Sequence, residues 1–427
     1  MRNLLALGLV SCGALLAAAG AAQPTFYKDV LPVLQKNCEE CHRPGEAAPM
    51  AFTDYKSTRP WAKAIKGVVQ AGRMPPWHAD DTGLKFHNDR RLSRGEVETL
   101  VNWADSGARE GSAKDAPAPR TYETGWAIGK PDVVFEMPTE FPIPATGTVD
   151  YHYVILPTNF KEDKWVSMAE TRPSNRQLNH HIIAFIREPG NPWLQGEKIG
   201  VPFVPARDRE ARGMGEFLTG YAPGAMPNIL KPGQAKLVKA GSDIVLQLHY
   251  TANGKAGTDR SKIGLVFAKD PVKERVITVA SSNNQFEIPP MDGNYRVDST
   301  VTLHEDAKLV LMLPHMHLRG KAFQYRVKYP DGTEKLLLNV PRYDFNWQLS
   351  YYPAEQLALP AGSKIECTAH FDNSPNNPAN PDPKKAVRFG EQSWDEMMIG
   401  FFDVAVAPDK SMMDIMRPKQ PRRPTGE

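Results

Sequence analysis

Cys38-Glu39-Glu40-Cys41-His42 sets two thiols three positions apart and an imidazole directly after the second. Thiols at that spacing can add to the two vinyl groups of a haem, and the next residue then reaches the iron from the same short turn. This is the attachment pattern of a c-type haem. A zinc site would need a second ligand pair, and none lies nearby. A thioredoxin-like dithiol would need flanking βαβ structure, which is missing. A sixth iron ligand is expected from Met74, in the run Gly72 to Trp77. Its thioether would raise the reduction potential relative to a second imidazole, which His78 or His87 would supply.

Five of the 11 histidines form a second pattern. His180 and His181 are adjacent. His249 ends an apolar run, Ile244 to Tyr250, and shares a strand face with Val245 and Gln247. His315 and His317 flank Met316. On a strand, positions two apart share a face, so His315 and His317 can grip one ion. Adjacent His180 and His181 point to opposite faces of a regular strand and can share an ion only where the strand twists or ends. A lone histidine is ordinarily just hydrogen-bonded. Two paired motifs in one region favour metal binding, with copper or zinc suited to imidazole. A methionine thioether would tilt the choice to copper, and Met397-Met398 precede a strand-like run near the end of the chain.

These residues need elements to position them. Residues 25–111 read as helical: Phe26 to Lys36, Trp61 to Ala71, and a third run opened by the capping box Ser93-Arg94-Gly95-Glu96. Residues 112–124 read as a linker. Beyond them, short β-branched runs recur between turn residues: Val149 to Leu156, Ile182 to Ile186, Ile244 to Tyr250, Val276 to Ala280, Lys308 to Leu313, Ala322 to Tyr329 and Ile399 to Val406. Asp331-Gly332 marks a hairpin turn. The spacing predicts two β-sandwiches, 125–285 and 286–416, followed by a mobile basic tail, 417–427. The expected architecture is multidomain: an N-terminal all-α cytochrome c domain over 23–111, then two all-β, jelly-roll-like copper domains.

The whole chain sets bounds. At 427 residues it exceeds one ordinary domain. With 52 basic and 49 acidic residues it has no footprint for nucleic acid. Arg2, the apolar stretch Leu4 to Leu16 and the small residues Ala17 to Ala22 read as an export signal. The destination is the periplasm or the exterior; a lipid anchor at Cys12 ranks second. No later apolar stretch reaches the ~18 residues of a membrane span. Without Cys12, the chain holds one close cysteine pair and Cys367, which is no disulfide framework.

Taken in order, His180-His181, His249, His315-Met316-His317, Tyr343-Asp344-Phe345-Asn346-Trp347-Gln348 and Asp395-Glu396-Met397 resemble the copper type II, ascorbate-dependent monooxygenases, the group of peptidylglycine α-hydroxylating monooxygenase and dopamine β-hydroxylase. The resemblance covers 125–410. It implies one copper on His180, His181 and His249 for electron transfer, and one on His315, His317 and Met397 for oxygen activation. It implies that O2 binds at the second copper, that hydrogen leaves a substrate C–H bond, and that one oxygen atom enters the product. Ascorbate or a redox protein would supply electrons, with the haem as the intermediary. The sequence departs from the family at several places. Leu313 stands where peptide-amidating members carry arginine, and Ile399 and Phe401 replace polar residues. The family's disulfides cannot form, and Met398 competes with Met397 as ligand. The substrate, a small molecule or peptide, is left open. The alternative readings are a non-catalytic haem and copper electron carrier or copper-binding protein, and a binding module with empty histidine sites.

Overall fold

The computed structural model describes residues 23–122, 125–205, 214–224 and 226–418. The expected export signal, with Cys12, and residues 419–427 of the expected tail lie outside the described residues. Each of the seven β-branched runs contains a strand, the first only from His152. They build two sandwiches in which alternate residues enter a core.

In the first sandwich, one sheet runs in the order His152–Pro157, Asp243–Tyr250, Asn179–Arg187, Glu216–Tyr221. It faces Val133–Glu136, Lys262–Phe267, Lys164–Arg172 and Gln234–Val238. Val154, Ile182, Leu246 and Ile263 meet between the layers, each fully buried. Burial of one such side chain stabilises by roughly 1.5–3 kcal/mol. In the second sandwich, Tyr295–Thr302, Lys364–Phe371, Gly320–Lys328 and Glu334–Val340 face Glu274–Asn283, Met398–Val406, Ala307–His315 and Leu357–Leu359. Ile277, Met312, Phe323 and Phe402 fill that core. The strand Glu274–Asn283 belongs to this second unit, with Ile277 and Val279 in its core.

The sandwiches are joined through their sheets. Gln234–Val238 pairs in parallel with Glu274–Asn283 at Gln234 and Ala235, which makes one continuous nine-stranded sheet. Lys236 is buried at this seam, 3.1 Å from Asp403 and 2.7 Å from the Thr278 hydroxyl. A charge pair out of water persists only when its hydrogen bonds are satisfied in this way.

The front of the chain corrects the expectation of an N-terminal all-α cytochrome c domain. The protein is predominantly β, and the front helices are short: Leu31–Asn37, Tyr55–Thr58, Ala62–Gln70 and Arg94–Asp105. The last opens with Ser93 and Glu96 in a reciprocal capping box. These helices share a small apolar cluster around Phe26, Leu34, Leu100 and Trp103. The segment 71–91 leaves that cluster, because proline and glycine at Gly72, Pro75, Pro76 and Gly83 forbid a continuing helix, and Leu92 returns to it. It lies instead along the second sandwich. Trp77 and Ala79 enter the second core, Leu84 hydrogen-bonds to Leu337, and Phe86 bridges to Pro353. The front is therefore a short-helix cap tied into a β protein. Among the described residues, no helix is long and apolar enough to cross a membrane.

Candidate metal centres

The first centre sits where Asn179–Arg187 pairs with Asp243–Tyr250. His181 lies directly opposite His249, and the register slips between Asn179 and His181. His180 is the extra residue of a β-bulge, which re-aims a side chain that regular pleating would send to the far face. Its Nδ1 lies 3.3 Å from that of His181 and 3.2 Å from that of His249, and the last two are 3.4 Å apart. A neutral imidazole nitrogen either donates or accepts, so three converging nitrogens cannot satisfy one another in pairs. A shared cation satisfies all three. The centre of a triangle of that size lies about 1.9 Å from each corner, close to an imidazole–metal bond length. Burial pushes all three imidazoles below their ordinary pKa, His249 to about 3, so their lone pairs are free at neutral pH.

Tyr151 supports this centre. Its ring meets His249 edge-on at 4.4 Å and His181 at 5.5 Å, and its hydroxyl lies 3.3 Å from that of Ser393. Sequence reasoning did not single it out; Tyr151 lies just before the strand His152–Pro157 and shares an apolar cluster with Tyr153.

The second centre begins where Ala307–His315 ends. The His315 and His317 rings stand 5.2 Å apart and nearly perpendicular. His315 Nδ1 donates to Gln348 Oε1 at 2.7 Å, and His317 Nδ1 donates to the Asp395 carbonyl at 3.3 Å. Each bond fixes the tautomer that leaves Nε2 with its lone pair, as an outer partner of a metal-bound histidine does. The turn is held from two sides. The Tyr343 hydroxyl accepts from the Met316 N–H at 3.1 Å and donates to its carbonyl at 2.8 Å. The buried Glu396 carboxyl accepts from the N–H groups of His317 (2.9 Å) and Arg319 (2.6 Å), and burial raises its pKa to about 8.

Met398 is fully buried in the second core with Phe402. Met397 is also buried and lies just before the strand Met398–Val406, in which Ile399 pairs across from His315 and Phe401 packs near its ring.

The two centres face each other across one ring. Phe345 stacks on His180 at 5.6 Å and meets His317 edge-on at 6.0 Å. Beside them a small open cleft runs between the sandwiches, from His181 to Gln348 and Leu313.

The haem motif packs against the first sandwich. His42 Nδ1 donates to the Met50 carbonyl at 3.2 Å, and the ring stacks on Phe52 at 4.3 Å, which leaves Nε2 as the ligand nitrogen. Cys38 and Cys41 are free and half-buried, and burial pushes the Cys38 thiol up to about 12. A Cβ on Gly224 would come within 3.8 Å of Cys41 Sγ and 2.9 Å of the Arg90 guanidinium, and the backbone there has φ of +77°. Only glycine lets this turn approach the motif. Arg176, just before the strand of His180, pairs with Glu46 at 2.7 Å. The donor set fits a covalent haem. Met74 is half-buried and lies outside the apolar cluster that includes Cys38 and Met50.

No protein-family model matches the chain, and no curated protein does. Among solved structures, similarities include the infectious bursal disease virus VP2 subviral particle, at 11% identity over 68% of this chain and 75% of that one, with a TM-score of 0.19. Another is the STIV MCP, at 11% identity over 65% and 95% of the two chains, with a TM-score of 0.25. Superpositions this poor carry no argument about function.

Proposed function

We propose that this protein is an exported, haem- and copper-dependent monooxygenase that hydroxylates a C–H bond of an organic substrate. One observation carries the reading. Three converging imidazole nitrogens in one group face the imidazoles of His315 and His317 in another, across Phe345. His180, His181 and His249 would hold one copper, and His315, His317 and Met397 the other. Cys38, Cys41 and His42 would hold the haem, with Met74 as its sixth ligand on sequence spacing. Bound copper supplies one-electron chemistry and oxygen activation; bound haem supplies an electron store. The reaction balances when one C–H bond, one O2, two electrons and two protons give one C–OH and one water. Ascorbate or a redox protein would provide the electrons. Export rests on the sequence of residues 1–22.

The chain's own residues prepare the site. Gln348 and the Asp395 carbonyl keep the Nδ1 protons of His315 and His317, so that both Nε2 atoms accept a metal. Tyr343 and Glu396 fix the backbone between and beyond them. Burial keeps the imidazoles unprotonated. A thioether is a soft donor and favours the reduced state of copper. The Arg176–Glu46 ion pair ties the chain just after the Cys38–His42 motif to the segment that precedes the strand of His180.

The test is rapid mixing of the ferrous, copper-loaded full chain with O2 while haem oxidation is followed optically. Copper is expected to accelerate oxidation, and His249→Ala to abolish the acceleration. An oxidation rate indifferent to copper would overturn the reading.

A further inference from the structure

Tyr221 stands between the haem motif and the first centre. It closes the strand Glu216–Tyr221, where it pairs with Ile182, the residue after His181. Antiparallel partners lie about 5 Å apart at Cα, so the end of this strand is its closest approach to the histidines. Tyr221 and His181 line the same small cleft. The Tyr221 side chain also reaches the haem motif. Around its hydroxyl stand Arg176, Glu46, Cys41 and Asp259, and the Arg176 guanidinium lies 5.8 Å from the ring centre. Glu46 pairs with Arg176 at 2.7 Å and with Arg43, the residue after His42, at 2.9 Å. One carboxylate thus ties the motif to the arginine that packs beside the Tyr221 ring.

A tyrosine in this place has two possible uses. One that is oxidised in passing must hand its hydroxyl proton to a base through a hydrogen bond. The Tyr221 hydroxyl is buried and has no hydrogen-bond partner among the described residues, and burial pushes its pKa up, so it keeps its proton. What remains is the ring, as packed matter between Cys41 and the strand that carries His181. We propose that Tyr221 carries the electron route from the haem to the first centre, its ring acting as a bridge that is itself neither oxidised nor deprotonated. One electron leaves ferrous iron and one reduces Cu(II) to Cu(I), and no proton moves at Tyr221. The route rests on the haem and copper assignments proposed above and adds the path between them.

The test is flash photoreduction of the oxidised full chain under argon, with the haem attached, His315→Ala and His317→Ala in place, and copper loaded at the first centre. Re-oxidation of the haem by Cu(II) is followed optically. In this parent it is expected to be first-order and independent of protein concentration. Tyr221→Ala replaces close-packed ring atoms by a gap, across which electronic coupling decays steeply, and should slow re-oxidation about tenfold or more. Tyr221→Phe restores the ring, lacks only an unpartnered hydroxyl, and should recover the parent rate to within about twofold. The copper affinity and the haem reduction potential should be the same in all three proteins. A Tyr221→Ala rate equal to the parent's, a Tyr221→Phe rate as slow as that of Tyr221→Ala, or a slower rate that tracks a shift in affinity or potential would overturn the route and leave the monooxygenase reading to its own test. A parent haem that copper never re-oxidises would overturn both.

Discussion

His180 and His181, neighbours in sequence, bring their Nδ1 atoms to 3.3 Å of each other. A regular strand would hold them on opposite faces; the bulge between Asn179 and His181 turns both toward His249. Deleting His180 should restore regular pairing and remove one corner of the triangle. The expected result is a folded protein by circular dichroism that has lost tight copper at the first centre and kept it at the second. Equilibrium competition with a copper chelator measures this.

Tyr343→Phe removes both hydrogen bonds to the Met316 backbone. Leaving that buried N–H and carbonyl unpaired should cost roughly 1–3 kcal/mol in chemical denaturation. Metal affinity should fall at the second centre alone, since His180, His181 and His249 make no use of this turn.

Met397→Leu and Met398→Leu should separate cleanly. Met398 packs in the second core, so a leucine of similar volume should cost less than about 1.5 kcal/mol and leave copper binding intact. Met397 is the proposed thioether ligand of the second centre, and its loss should lower the affinity for Cu(I) far more than for Cu(II). Separate Cu(I) and Cu(II) titrations of both variants check the assignment.

Glu96 gives a pH dependence with a defined sign. Although burial opposes it, hydrogen bonds from Lys36, Ser93 and Asn37 hold its carboxyl down to about 2. A depressed carboxylate stabilises the fold above its unfolded pKa, and that contribution fades as pH falls from 4.5 toward 2. Glu96→Ala should therefore cost about 1 kcal/mol at pH 7, the usual worth of a cap, and progressively less below pH 4.5. Denaturant melts of parent and variant at several pH values measure the difference.

Some of this architecture was legible in the sequence because it is local. β-branched runs between turn residues marked the strands, and Ser93 to Glu96 carried its own cap. The donor sequence of Cys38 to His42 is contiguous, and His315 and His317 share a face by spacing. The rest depends on partners distant in the chain. Whether His180 can join His181 is decided by the register against Asp243–Tyr250. Met397 parts from Met398 only when the core that Met398 enters is known. The helical runs at the front were real, but their periodicity could not reveal that Trp77 would leave them for the second sandwich.

The most direct measurement is anomalous diffraction at the copper edge from crystals of the copper-loaded full chain. The account predicts two copper peaks on either side of Phe345, one among His180, His181 and His249, the other among His315, His317 and Met397. A single peak, or copper bound only at sites away from these six residues, would contradict it.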